Sequence, residues 1–391
     1  MSDKNVKIGL ALSGGGSRAI AFHLGCMRAL HELGVLSKVD VLSTVSGGSV
    51  IGAMYAYSDC SFEEFEERVK KLLSAGLTVG ILRYTFFSRE TPKIIGTILI
   101  SGLFALLGGI IGLGVGLTGL FGLRIPLLTK FSVLIHAPFR RFGSRTTAFA
   151  KFLKVTYFDG QVLENVSRKD LQVVINAAEL RTQSAFRFGS QETRCWRFGV
   201  LKNSSSVAKA VAASAAFPGF LPALDEKHLF LKNGLTKAHR VLITDGGVYD
   251  NLGTSCLLPG RDPNYGANVQ PVDIIIACVA GHGLTDGKRS PYYWPSRMSS
   301  TLSTIHQRTH TLSFDQLHRL QKSGKIKGFV MPYLGQQDEK LPSKPNGFVQ
   351  RSETFNYPTD FSSMSEEDIQ RLSIRGEQLT RVLMKAYQPN L

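Results

Sequence analysis

Apolar runs that break into clusters of small residues set the plan of this chain. Val6 to Leu12 gives way to Ser13-Gly14-Gly15-Gly16-Ser17, and Arg18 to Leu33 follows as an amphipathic helical stretch. Val39 to Ser46 repeats the form and leads into a helix over Ser49–Tyr57. Strand, helix and strand in this order predict a βαβ unit with a right-handed crossover. Further strands are expected at Leu171–Ala178, Arg240–Thr244, Asp273–Val279 and Gly328–Tyr333. A near-continuous apolar run such as Val272 to Val279 fits a sheet covered on both faces. Gln336 to Phe361 is rich in Pro, Ser, Asn and Gln and reads as a long loop (336–361). Met364 to Tyr387 returns as a helix (364–387) that opens at Ser365 with Glu366 and Glu367 in its first turn. No internal repeat is visible. The fold class expected is α/β, as one domain over 1–391.

Composition narrows this picture. The apolar share of 43% and charged share of 19% are those of a globular chain. The five cysteines are scattered without paired spacing, which predicts reduced thiols in an intracellular protein. Met1 to Asn5 has no apolar core, so no secretory signal is expected. The formal net charge of +16 is uneven: no acidic residue lies between Thr91 and Phe158, where Lys93, Arg124, Lys130, Arg140, Arg141, Arg145, Lys151 and Lys154 do. Basic clusters beside apolar segments attract anionic membranes. Nucleic acid ranks lower as a partner, because no nucleic-acid-binding motif accompanies the charge.

Three of the turns carry candidate chemistry. Ser46, followed by Gly47 and Gly48, has the form of a strand-to-helix elbow that exposes a nucleophile, although Thr44 stands where the common G-x-S-x-G pattern has glycine. A helix N-cap is the plain alternative for Ser46. Gly14 to Gly16 at a helix start would bind an anion, either a phosphate or a developing oxyanion, and the usual phosphate-loop spacings are unmatched. Asp245, followed by Gly246 and Gly247, ends an apolar strand as a base or as a turn initiator. None of the nine histidines has so pointed a setting. His306 and His310 stand i, i+4 without acidic or cysteine partners, so no metal and no cofactor are expected.

In this order the turns resemble the signatures of the patatin-like phospholipase family, of bacterial type. They read Gly14-Gly15-Gly16-Ser17-Arg18, Ser43 to Gly48, and Asp245-Gly246-Gly247. Ala210 to Pro222 and Asp245 to Gly253 are similar to two further family blocks. The resemblance covers roughly 5–60 and 170–285. It implies a three-layer sandwich with a mainly parallel central sheet flanked by helices. It also implies Ser46 as nucleophile, Asp245 as its direct base without histidine, and Gly14, Gly15 and Gly16 as the oxyanion hole with Arg18 in support. Gly47, Gly48, Gly246 and Gly247 would support the elbow and the aspartate. The implied activity is lipid acyl hydrolysis of phospholipase A or lysophospholipase type.

The stretch 80–158 then reads as an apolar and basic insert. Ile94 to Leu123 is 30 residues with no charge and nine glycines, long enough for a membrane span. A single pass would separate Ser46 from Asp245, so a re-entrant or surface hairpin is expected, with Arg124, Lys130, Arg140 and Arg141 at anionic headgroups. A lid and a subunit contact in a homo-oligomer are the other readings. The location implied is cytoplasmic, at the inner face of the membrane. Two alternative functions stay open: a defence effector switched on by a small-molecule activator, and a non-catalytic membrane-binding or pore-forming protein on the same fold.

Overall fold

The computed structural model describes residues 6–122, 126, 140–260, 266–283, 287 and 290–391. Strand β1 (Ile8–Leu12), helix α1 (Gly16–Glu32), strand β2 (Val41–Val45) and helix α2 (Gly47–Ala56) form the expected βαβ unit and its following helix. Helices α3 (Phe62–Ala75), α4 (Thr78–Phe86), α5 (Thr91–Leu120) and α6 (Arg145–Thr156) come next. Strands β3 (Gln172–Glu179), β4 (Ser184–Gly189), β5 (Arg194–Cys195) and β6 (Gly199–Leu201) precede helix α7 (Val207–Ser214). Then follow β7 (Leu224–Lys232), β8 (Leu235–Asp245), the single-turn α8 (Gly247–Asp250), β9 (Ile274–Cys278), α9 (Trp294–Lys322), β10 (Gly328–Val330), the short α10 (Arg351–Thr354) and α11 (Glu366–Tyr387).

The sheet has two halves of different character. Strands β10-β9-β1-β2-β3 are parallel, and β4 to β8 continue antiparallel until β8 pairs back onto β3, closing a ring. The expected mainly parallel sheet is therefore corrected to a mixed one. The reason lies in the strands that lack an apolar run. Strand β7 reads LDEKHLFLK and β8 begins LTKAHR, each mixing polar with apolar residues, most of them exposed or half-buried. Asn233 and Gly234 join them with φ of 51° and 76°, the left-handed pair of a tight hairpin.

In the parallel half, alternate residues of each strand enter two separate clusters. Leu10, Leu12, Ile276 and Cys278 face α1, α2 and α11, whereas Ala11, Val41, Ile275 and Ala277 face Cys256 to Leu258 and the end of α9. Helices α1 and α11 approach until backbone meets backbone. A Cβ on Gly25 would lie 1.7 Å from the Ser373 carbonyl oxygen, and one on Gly376 would lie 2.2 Å from that of Phe22. Buried Arg375 on α11 binds the carbonyls of Leu334, Gln336 and Val349 and the carboxylate of Asp338, fastening the segment between β10 and α10.

The apolar insert is not the expected hairpin over 94–120. It is one helix, α5, at 1.5 Å per residue about 45 Å long, with only Ile94, Thr97 and Gly108 buried. An apolar stretch that leaves the core satisfies its backbone polar groups best within itself, and a continuous helix does so despite the glycines. Its foot is clamped from both sides: the Gly143 N–H donates to Thr97 Oγ1 at 3.2 Å and the Arg141 N–H to Asp225 at 2.9 Å. The chain is thus back at the base of α5 by residue 141. Arg140 and Arg141 are exposed there, and Arg140 lies over the Phe142 ring. Arg124 and Lys130 lie outside the described residues.

Gly376→Ala should destabilise the protein by about 2 kcal/mol or more, the upper part of the overpacking range, because the opposing atom is backbone and cannot turn aside. Gly102→Ala, with open space around it on α5, should leave stability equal or slightly raised. Denaturant midpoints of the two variants check both.

Candidate active site

Strands β1, β2 and β8 all end at one rim of the sheet, and their last turns meet. Ser46 leaves β2 with φ 51° and ψ −119°, a conformation costly for a residue with a side chain, and α2 begins at the next residue. Two hydrogen bonds over-determine this bend. The Ser46 N–H donates to Ser214 Oγ at 3.0 Å, and the Ser46 carbonyl accepts from the Ser49 N–H at 2.8 Å. Absence of side chains lets the turns touch: a Cβ on Gly47 would lie 2.3 Å from the Gly16 oxygen, and one on Gly48 would lie 2.3 Å from the Leu12 oxygen. Thr44, the departure from the common elbow pattern, has its own accommodation. Its methyl occupies the place of a missing Cβ on Gly52, 2.5 Å away, and its hydroxyl accepts from Ser49.

The glycine turn lies against this elbow. A Cβ on Gly14 would stand 3.2 Å from that of Ser46. The Gly14 N–H is occupied by the Asn251 carbonyl at 3.2 Å, so Gly14 is a spacer rather than a free donor. Among the described residues the N–H groups of Gly15 and Gly16 have no acceptor, and Gly15 adopts φ 147° and Gly16 φ 59° at the start of α1. Unsatisfied N–H groups at a helix start, beside a nucleophile, are where a developing oxyanion is stabilised. Arg18 lies against the turn, its Nη2 3.3 Å from where a Cβ on Gly15 would stand. Its guanidinium donates to the carbonyls of Ala280 and Tyr357 and contacts His282, and burial lowers its pKa to about 10. It ties those segments to the turn. His282 is held near Arg18 and Phe355, and its pKa falls to about 4 through burial, then through the adjacent guanidinium.

Asp245 completes the group. Its carboxyl is fully buried, accepts the Gly247 N–H at 2.7 Å and lies beside the Ser46 side chain. Burial raises its pKa to about 7, against the lowering effect of the Gly247 N–H and of Ser46. A group poised near neutrality can take a proton from a hydroxyl and return it. Gly246 belongs to the packing: its Cβ would meet the Asn176 oxygen at 2.3 Å.

Sequence reading passed over the residues that align these parts. Ser214 closes α7 with four bonds: its hydroxyl donates to the Asn176 carbonyl at 2.6 Å, receives the Ser46 N–H and meets the Ser49 hydroxyl at 2.8 Å, and its carbonyl accepts from Gly246. Ala216 takes the Asp245 N–H at 3.1 Å and the Thr244 hydroxyl at 2.7 Å. One helix end thus sets both Ser46 and Asp245. Asn176 adds bonds to Ser43 and Thr44, and buried Arg187 binds Asn176 and Ser255. The AVAASAAFPGFLP block was the visible signal for Ser214. Asn176 and Arg187 had none, since each acts through partners far away in sequence.

A family model described as patatin-like phospholipase matches residues 10–257. No curated protein matches. Solved structures do, at the level of fold. Human GIVD cytosolic phospholipase A2 is 12% identical with a TM-score of 0.54, over 99% of this chain and 62% of that one. The same human protein in complex with methyl gamma-linolenyl fluorophosphonate and terbium chloride gives 13% and 0.52, over 99% of this chain and 59% of that one. The chain therefore spans about three fifths of the length of these neighbours.

Burial of Asp245 sets a sign for stability. With its folded pKa near 7 and an unfolded value of about 3.9, the folded state holds a proton the unfolded state has lost, so stability falls as pH rises through that window. Asp245→Asn should therefore raise the melting temperature at pH 8 and change it little at pH 4. Thermal melts of both proteins at the two pH values check this.

Proposed function

The chain belongs to the patatin-like phospholipase family, and from that premise we propose that it is a lipid acyl hydrolase with Ser46 as nucleophile and Asp245 as its base. The observation that carries this reading is that a buried carboxyl whose pKa is about 7 lies beside the Ser46 side chain, at an elbow next to the free Gly15 and Gly16 N–H groups. As Ser46 Oγ attacks the acyl carbonyl carbon, Asp245 takes the hydroxyl proton. The oxyanion is received by the N–H groups of Gly15 and Gly16. Collapse expels the alcohol, which leaves with the proton from Asp245. Water, deprotonated by Asp245, then cleaves the acyl-enzyme and restores Ser46.

The surroundings favour an apolar acyl substrate. Phe217, Phe220, Val248 and Tyr249, on the segments flanking Asp245, are each about two-fifths exposed. Helix α9 crosses above them, with His306 against Phe217. Ser46 is 8% exposed and Asp245 2%, so a lipid gains access only when this rim opens. Helix α5 provides a site for meeting a bilayer: Ile98, Leu99, Leu113 and Leu120 are exposed along it. A contiguous apolar surface of this extent signals a partner. For a lipid hydrolase that partner is the anionic membrane surface, with Arg140 and Arg141 at its foot, on the cytoplasmic side where the free cysteines stay reduced.

Ser46→Ala should lose several orders of magnitude in rate and all labelling by a fluorophosphonate; labelling that persists in the folded variant overturns the assignment. On a short soluble ester, kcat/KM should rise about tenfold per pH unit below about pH 7 and level above it, following ionisation of Asp245. Replacing Ile98, Leu99 and Leu113 together by Asp should abolish flotation with anionic vesicles and leave turnover of that soluble ester unchanged. Equal loss in both assays would mean that α5 serves the fold instead.

A further inference from the structure

A second set of reactive side chains lies behind the glycine turn. His23 and Cys26 are three residues apart on α1 and so share a face, and Cys278 is the last residue of β9. One ligand atom from each lies within 4.8 Å of the others, and all three residues have no exposed surface. His23 Nε2 lies 2.9 Å from the Ser13 carbonyl oxygen. A carbonyl only accepts, so Nε2 carries the ring proton and Nδ1 carries the lone pair. Nδ1 is buried and makes no hydrogen bond of ordinary geometry. A buried, unpartnered nitrogen beside two thiols is costly in a protein interior and asks for a ligand.

We propose that His23, Cys26 and Cys278 form a binding site for a single zinc ion. Three features of the donor set fit it. Zinc takes thiolate sulfur and imidazole nitrogen, and three such ligands leave the fourth position to water. Two thiolates and one neutral imidazole balance a divalent ion, so the site carries no net charge where none is solvated. A ligating histidine donates its other ring N–H to a fixed acceptor, which is the role of the Ser13 carbonyl here. On α11, the Gly376 carbonyl oxygen lies 3.5 Å from Cys26 Sγ and accepts the Thr380 hydroxyl at 2.7 Å.

The position gives the ion a positioning role. Ser13 is the residue from which the glycine turn departs. Its carbonyl is bound by His23, its N–H donates to the Cys278 carbonyl at 3.1 Å, and its hydroxyl accepts from the Ala280 N–H at 2.9 Å. Two of the three ligands thus hold the root of the turn that presents Gly15 and Gly16. Binding is a separate claim from the acyl-hydrolase reading, since it is read by metal content and absorption and not by turnover.

The test uses the full chain, purified reduced and metal-free, then titrated with zinc and with cobalt(II) as its spectroscopic stand-in. The expected result is a one-to-one complex of each metal, thiolate-to-cobalt charge-transfer absorption, and a melting temperature raised by zinc. Cys26→Ala with Cys278→Ala should lose all three while remaining folded by circular dichroism. Cys256→Ala, a buried thiol elsewhere, should keep them. The proposal is overturned if the folded wild-type chain takes up no metal, if the double variant binds as well as wild type, or if mass spectrometry of the protein as isolated finds Cys26 and Cys278 joined as a disulfide. If the double variant does not fold, His23→Asn answers the same question: uptake equal to wild type then overturns the site.

Discussion

Everything at this site depends on backbone passing backbone without side chains between. The chain at Gly47 and Gly48 lies so close to that at Gly16 and Leu12 that a single methyl at either position would collide with a carbonyl oxygen. This approach brings the elbow at Ser46 against the turn that carries the Gly15 and Gly16 N–H groups. The bend at Ser46 is costly, and it persists because the surroundings leave no relaxed alternative: Ser214 holds its N–H and the first turn of α2 holds its carbonyl. A site made of hydrogen-bonded main chain is rigid, so its donors are aimed before any substrate arrives.

The desolvation that raises the pKa of Asp245 is a consequence of the same packing. The carboxyl is enclosed between β8, α7 and the loop through Asn251, accepts the Gly247 N–H and lies beside the Ser46 side chain. These neighbours do not offset its loss of water, so its pKa stands at about 7. The fold thus gives up some stability at neutral pH in return for a group that exchanges a proton there.

Much of this was legible in the sequence because the decisive residues sit where strands end, and strand ends announce themselves. An apolar run stopping at Ser46 or Asp245 and followed by two glycines has few structural excuses. Strands β4 to β7 were not legible, since β5 and β6 are very short and β4 and β7 mix polar with apolar residues and never make a run, and the Asn233-Gly234 turn was the one local signal for the β7–β8 hairpin. The hairpin expected for the insert failed for another reason. Requiring Ser46 and Asp245 on one side fixes where the chain must leave and return, and it says nothing of the path between. Ser214, Asn176 and Arg187 act through partners distant in sequence, so no local pattern marks them. His23 and Cys26, three residues apart, carried no reading of their own, because the third member of their group, Cys278, is distant in sequence.

Ser17, at the start of α1, receives its backbone partner from the far end of the chain. Its N–H donates to the Asp360 carbonyl at 2.7 Å, and that same carbonyl would meet any side chain on Gly16. Arg18 reaches Tyr357 in the same segment, and α11 then closes over α1. The glycine turn is therefore fastened by a segment remote from it in sequence, as a keystone set by a distant hand. A cut in the segment around Asp360 would loosen that turn while the pairing of β1 with β2 stayed whole.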